Sequence, residues 1–320
     1  MRISMKRFKI PLTCIIAAML CINTSMHCLQ GTGVTNDHLG FGSFKPDLHG
    51  LPLLQKFQAR DKQWLSYRIY PSSNTKRALI LLHGSSYHGA YLNEFAQYFS
   101  NHSLGTVYVP NVRGHFGSGN HRGDCEYIGQ LEDDLIDLIN YFNLKDKEIY
   151  LIGHSSGGGL AIRFAGSPYA SLIKGFVLLS PVILTAPTMR QGTAGGWAQP
   201  HTATILLLST LNACGITWFN HWSAITFNKP SVYCDGTETL TYSFNLNSSY
   251  HPRIPYQPDI AALKGKYLLL VGSLDEANDP AQFKNVMPDK NTIYVLDAVH
   301  HLDIMQDKYA MDMVDKWIKK

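Results

Sequence analysis

The sequence predicts a doubly wound α/β domain on a mostly parallel sheet. Short apolar runs recur along the chain, and helix-period patterns fill the gaps between them. One long, nearly uncharged segment interrupts the alternation. The runs at 64–69, 78–82, 106–109, 148–152, 175–179, 267–271 and 292–296 read as strands. Most of the later ones are four or five consecutive apolar residues, the pattern of strands covered on both faces. Between them, Leu131, Leu135, Leu138, Ile139 and Phe142 fall on one face of a helix. Glu132, Asp133 and Asp134 crowd its first turn, where the helix dipole favours acids. A last helix is expected over 303–319, with Ile304, Met311, Val314 and Ile318 inward. Strands alternating with helices argue for the α/β class.

The interrupting segment is 183–250. Its only charged residues are Arg190, Lys229, Asp235 and Glu238, and it carries three tryptophans. It lies between two expected strands, so it is read as a helical cap inserted into the sheet order, over an apolar site; extra helices completing the core are the alternative. The core is then 51–182 with 251–320, and 29–50 is an irregular Gly-rich lead-in.

The 320 residues are 45% hydrophobic and 16% charged, which excludes a disordered or fibrous chain. The net charge of +4 comes from Arg2, Lys6, Arg7 and Lys9; without them the basic and acidic residues balance. That gives no basic footprint for nucleic acid. Those four residues, the apolar run 11–22 and the polar residues after it read as a secretory signal over 1–28, which implies a secreted or periplasmic protein; a retained signal anchor is the alternative. Export would permit a disulfide. Cys214 and Cys234 form the expected pair, and free thiols are the alternative. No metal-ligand spacing stands out.

Three motifs carry chemistry. After the expected strand 148–152 comes Gly153-His154-Ser155-Ser156-Gly157, the Gly-x-Ser-x-Gly elbow, with a helix-compatible run behind it. The serine must sit on a strained strand-to-helix turn, and the glycines let strand and helix approach. Ser155 fits the spacing; Ser156 does not. After 78–82 comes His83-Gly84-Ser85-Ser86, a loop able to offer a backbone N–H to an oxyanion, with a second from the residue after the nucleophile, Ser156. His83 itself reads as a loop-fixing residue, and Arg113 as structural. A serine nucleophile needs a base, and the base an orienting acid. Asp275 follows strand 267–271, with Glu276 and Asp279 as competing acids. His300 and His301 follow strand 292–296 as competing bases.

On these residues the chain resembles the α/β-hydrolase superfamily over 52–318. It is similar to the serine hydrolases of the monoacylglycerol lipase, lysophospholipase and serine aminopeptidase group. The resemblance implies the α/β-hydrolase fold, Ser155 as nucleophile, His301 as general base and acid, and Asp275 as its orienter. It implies the backbone N–H groups of Ser85 and Ser156 as oxyanion hole. Ala298 stands where the group has glycine, three residues before His301. A secreted or periplasmic serine esterase acting on an acyl ester such as a lysophospholipid or monoacylglycerol is expected, with no cofactor; for the apolar cap, peripheral membrane contact, an effector partner and simple substrate lining are the alternatives. An aminopeptidase of the same fold needs carboxylates to hold the substrate's amino group, and the cap offers Asp235 and Glu238. A nonenzymatic binding protein of this fold would be expected to lack one of the three residues.

Overall fold

The computed structural model describes residues 38–190 and 196–320. The expected signal and the cysteines at 14, 21 and 28 lie outside the described residues. In chain order the elements are β1 (Gln55–Gln58), β2 (Trp64–Tyr70), β3 (Arg77–Leu82), α1 (Asn93–Asn101), β4 (Thr106–Pro110), α2 (Gln130–Tyr141), β5 (Glu148–His154), α3 (Ser156–Ala165) and β6 (Ile173–Leu179). Then follow β7 (Ala198–Pro200), α4 (Thr202–Ala213), β8 (Ser223–Phe227), β9 (Thr241–Ser243), α5 (Phe244–Ser249) and α6 (Gln257–Ala262). The chain closes with β10 (Tyr267–Gly272), α7 (Phe283–Val286), β11 (Ile293–Leu296) and α8 (Lys308–Lys319).

Eight strands form one sheet in the order β1-β2-β4-β3-β5-β6-β10-β11. The β1–β2 and β2–β4 pairs are antiparallel, and the remaining neighbours are parallel. The central strands are buried on both faces. In β3, Ala78 to Leu82 are all buried, and in β10 all six residues are. The strand expected at 175–179 begins two residues earlier, at Ile173. β1 has no counterpart among the expected strands. Its sequence Gln-Lys-Phe-Gln buries Phe57 alone, because an edge strand packs through one face and leaves the other wet.

The last helix runs over Lys308–Lys319, starting later than expected because Asp303–Met305 forms a 3-10 turn. The Asp307 side chain caps it, accepting the Ala310 N–H at 2.6 Å. The acids of α2 do more than meet a helix dipole. Glu132 accepts from Arg163 at 2.7 Å and Arg253 at 3.0 Å. Asp134 takes a two-pronged contact from buried Arg113, which also meets Asp61. These pairs tie α2 to α3 and to the loop after β4, and give Arg113 the structural place its sequence context suggested.

The stretch between β6 and β10 is not wholly helical, as the sequence pattern had implied. It holds α4, but also a three-stranded antiparallel sheet, β7-β8-β9. Ser223–Phe227 carries the β-branched Ile225 and Thr226, which favour a pleated strand. Along α4 only Leu208 is fully buried. Cys214 is exposed, Cys234 half-buried and both are free thiols, so the expected pair does not form. Cys125 is a buried thiol.

Candidate active site

Parallel strands deliver their following loops to one edge of the sheet. Here the C-terminal ends of β3, β5, β10 and β11 bring together the segments 83–86, 154–156, 275–278 and 298–301. Ser155 sits between β5 and α3 with φ 55° and ψ −121°, outside the regions open to most side chains. Such strain persists where the surroundings over-determine the backbone. They do so here through glycine contact. A Cβ on Gly153 would lie 2.1 Å from the Gly157 carbonyl oxygen, and one on Gly157 would lie 2.4 Å from that of Leu82. The motif's glycines are therefore demanded by backbone touching backbone.

Ser155 Oγ lies 3.0 Å from His301 Nε2, and His301 Nδ1 lies 3.0 Å from both carboxylate oxygens of Asp275. A carboxylate only accepts, so Nδ1 carries the proton and Nε2 accepts from the Ser155 hydroxyl. Asp275 and His301 are buried, and Ser155 is 8% exposed. Asp275 is anchored further: its Oδ1 accepts the N–H groups of Ala277 at 2.9 Å and Asn278 at 2.7 Å. Burial alone would raise the Asp275 carboxyl, but the facing imidazole and these hydrogen bonds outweigh it and hold the group below the usual carboxylate range. For His301 burial opposes protonation, and the Asp275 charge outweighs burial, so its pKa is raised.

The competing residues fall elsewhere. His300 Nδ1 meets Glu276 Oε1 at 2.7 Å, and Glu276 Oε2 accepts the His301 backbone N–H at 3.0 Å. This acid steadies the loop that carries His301. Asp279 caps a short 3-10 turn through the Ala281 N–H. Ala298, in the position where glycine was expected, has φ 55°. That left-handed backbone explains why glycine suits the position.

Ser85 and Ser156 face each other beside Ser155, their hydroxyl oxygens 2.5 Å apart. Among the described residues neither backbone N–H has a hydrogen-bond partner. Their neighbours do. Gly84 N–H donates to the Tyr91 hydroxyl at 2.6 Å, and Ser86 N–H to that of Tyr242 at 2.7 Å. The Tyr91 hydroxyl reaches His154 Nδ1 at 2.8 Å, and His154 Nε2 lies 2.9 Å from the His301 carbonyl. Burial lowers His154 to about 3, so it stays neutral. His83 accepts the Val112 N–H through Nε2, as a loop-fixing residue would. Sequence reasoning did not find Tyr91, Tyr242 or the role of His154: each works through a partner far away in the chain, and no local motif marks that.

A cavity of about 50 Å³ adjoins Ser155. Val182, Met189, Trp197, Ile225, Phe227 and Ala277 make most of its apolar wall. Glu238, one of the two acids of the 183–250 stretch, does not face it as a free charge. It pairs with buried Lys229 at 2.6 Å and accepts the N–H groups of Asp235 and Gly236.

The sheet order, the strained serine after β5 and the histidine after the last strand define the chain as an α/β hydrolase by fold. Comparison with known proteins agrees. A family model described as serine aminopeptidase, S33, matches residues 73–218. Mouse monoglyceride lipase is 28% identical over 133 residues, a stretch that spans 40% of this chain and 42% of the mouse protein. The solved structure of a Paleococcus ferrophilus monoacylglycerol lipase superimposes with a TM-score of 0.57 at 18% identity, covering 79% of this chain and 98% of that one. A soluble variant of Saccharomyces cerevisiae monoglyceride lipase gives 0.60 at 15% identity, covering 86% and 97%. Within the α/β hydrolases, this chain is similar to the monoacylglycerol lipase group.

Proposed function

We propose that the protein is a serine hydrolase that cleaves carboxylic acyl esters through an acyl-enzyme. The observation that carries this is the unbroken hydrogen-bonded line from Ser155 Oγ through His301 to Asp275. In this reading His301 Nε2 takes the hydroxyl proton as Ser155 Oγ attacks the carbonyl carbon. The carbonyl oxygen becomes an oxyanion that receives the N–H groups of Ser85 and Ser156. His301 returns the proton to the leaving alcohol as the C–O bond breaks. Water, deprotonated by the same nitrogen, then releases the acid and restores the serine. Asp275 stays ionised throughout and holds the imidazolium that forms.

A lipid-like substrate, a monoacylglycerol or lysophospholipid, is supported by the apolar wall beside Ser155 and by the monoglyceride lipase relatives. The cavity of about 50 Å³ is small against the ~300–1,000 Å³ of typical ligand sites. A medium or long acyl chain therefore requires the covering segment to yield. The exposed Leu206, Trp218 and Val232 favour contact of this segment with a lipid surface. Co-sedimentation with liposomes tests that part, and loss of binding in Leu206→Ser/Trp218→Ser is the expected result. Export, read from the amino-terminal sequence, belongs to the same proposal and is tested by cell fractionation.

The matched family's description favours an aminopeptidase as the second reading. It requires a free acid to hold a substrate ammonium; Glu238 is already neutralised by Lys229, and Asp235, which accepts the Thr237 N–H and hydroxyl, is not among the residues lining the cavity beside Ser155. Parallel assays of p-nitrophenyl esters and aminoacyl p-nitroanilides separate the two. Ester turnover abolished in Ser155→Ala supports the esterase, and turnover of the anilides alone overturns it.

A further inference from the structure

The segment between β6 and β10 does more than wall the cavity, because it holds the backbone of the loop after β3. Both backbone polar groups of Ser86 are bound by it. The Ser86 N–H donates to the Tyr242 hydroxyl at 2.7 Å, and the Ser86 carbonyl accepts the Thr239 N–H at 2.9 Å. At the next two residues, Lys229 Nζ stands 4.4 Å from the centre of the Tyr87 ring, and His88 Nε2 lies 3.1 Å from Thr237 Oγ1. Ser86 itself has φ 63° although it is not glycine. A strained residue of this kind keeps its conformation only while its neighbours enforce it.

The direction of each hydrogen bond follows from chemistry. His115 Nδ1 faces the carbonyls of Val112 and Arg113, which only accept, so Nδ1 carries the proton. Burial lowers His115 to about 4, so its Nε2 is a free lone pair at neutral pH. The Tyr242 hydroxyl, 2.6 Å away, donates to it. Its oxygen is left to accept the Ser86 N–H. Tyr242 is fully buried and its proton is committed, so it has one orientation.

We propose that Tyr242, carried by β9, is a positioning residue for the oxyanion hole. With the amides of Gly84 and Ser86 held by two tyrosine hydroxyls, the Ser85 N–H between them is left to face the reacting carbonyl. The covering segment thus completes the oxyanion hole as well as lining the acyl site. This rests on the serine-hydrolase reading given above.

The test is Tyr242→Phe, which keeps the ring and removes the hydroxyl. Rates are normalised to sites titrated with a fluorophosphonate, so only folded molecules with a reactive Ser155 are counted. The expected result is a fall in kcat of about 10²-fold with KM within a few-fold of the parent, since a displacement near 1 Å costs that much in rate. Binding of an alkyl boronic acid, whose tetrahedral adduct needs the same hole, weakens by a similar factor. A merely structural role would lower the number of titrated sites and leave kcat per site intact. Unchanged kcat per site, or a change confined to KM, overturns the proposal. If the variant yields no titratable sites, His115→Asn, which withdraws the acceptor of the Tyr242 proton, is read by the same two criteria. Absence of any ester turnover by the parent protein would instead sink the reading beneath it.

Discussion

Asp275→Asn probes the line Ser155–His301–Asp275 most sharply. The replacement is isosteric, and the local hydrogen bonds dictate its orientation. Oδ1 must go on accepting the N–H groups of Ala277 and Asn278. The new NH₂ therefore replaces Oδ2, where it faces His301 Nδ1 and the Asn278 side-chain amide. The NH₂ beside Nδ1 favours the tautomer in which Nδ1 accepts and Nε2 carries the proton, against the retained Oδ1, which also lies 3.0 Å from Nδ1. In that tautomer Nε2 cannot take the Ser155 proton as the proposed mechanism requires. The imidazolium that the proposed attack would form also loses its counter-charge. A carboxylate 3.0 Å from it, at an effective dielectric near 20, stabilises it by about 5–6 kcal/mol. Every ~1.4 kcal/mol is tenfold in rate, so kcat/KM should fall by about 10⁴. The assay is p-nitrophenyl ester hydrolysis from pH 5 to 9, with the melting temperature alongside. Asp275 raises His301 in the parent, and activity requires neutral His301, so the acid limb of the profile moves to lower pH in the variant. Retention of a tenth of the parent activity, with the acid limb unmoved, would refute the reasoning.

Other consequences follow from packing. Gly157→Ala puts a Cβ 2.4 Å from the Leu82 oxygen and 2.6 Å from that of His83; the strain should lower stability by about 1–3 kcal/mol and, because the loop at 83–86 shifts, lower kcat as well, which thermal melts and steady-state kinetics will show. Arg163→Met leaves buried Glu132 with Arg253 as its remaining partner, and a loss of about 3 kcal/mol at neutral pH is expected. Burial already raises the Glu132 pKa and the mutation raises it further, so the deficit should shrink as pH falls and the carboxyl protonates; a urea series across pH reads this. Ala298→Gly relieves a positive φ at an exposed site, and a gain of about 0.5 kcal/mol is expected once the ~1–2 kcal/mol of left-handed strain is set against the extra chain entropy of glycine.

The parts legible in the sequence are those in which the cause of structure is local. β3, β5, β6 and β10 announce themselves as apolar runs because both their faces are covered. Ser155 is marked because the elbow needs glycine on either side within five residues. Asp275 and His301 are each placed by a strand that ends just before them, although the choice between His300 and His301 needed the geometry. β1 escaped notice because one inward Phe57 makes no pattern, and the sheet β7-β8-β9 because strands of three to five residues give periodicity no room. The tyrosines that fasten Gly84 and Ser86 were invisible for a third reason. Tyr242 lies 156 positions from the amide it holds, and such a contact leaves no trace in spacing.

Ester turnover in two variants decides whether Ser155 and His301 do the proposed chemistry. Hydrolysis of a p-nitrophenyl series from acetate to palmitate is measured for the parent chain, Ser155→Ala and His301→Ala, together with fluorophosphonate labelling. Turnover and stoichiometric labelling are expected in the parent, loss of both in Ser155→Ala, and turnover reduced by several orders of magnitude in His301→Ala. Ester hydrolysis that persists in Ser155→Ala, or a parent chain that neither turns over any ester nor takes the label, would contradict that chemistry.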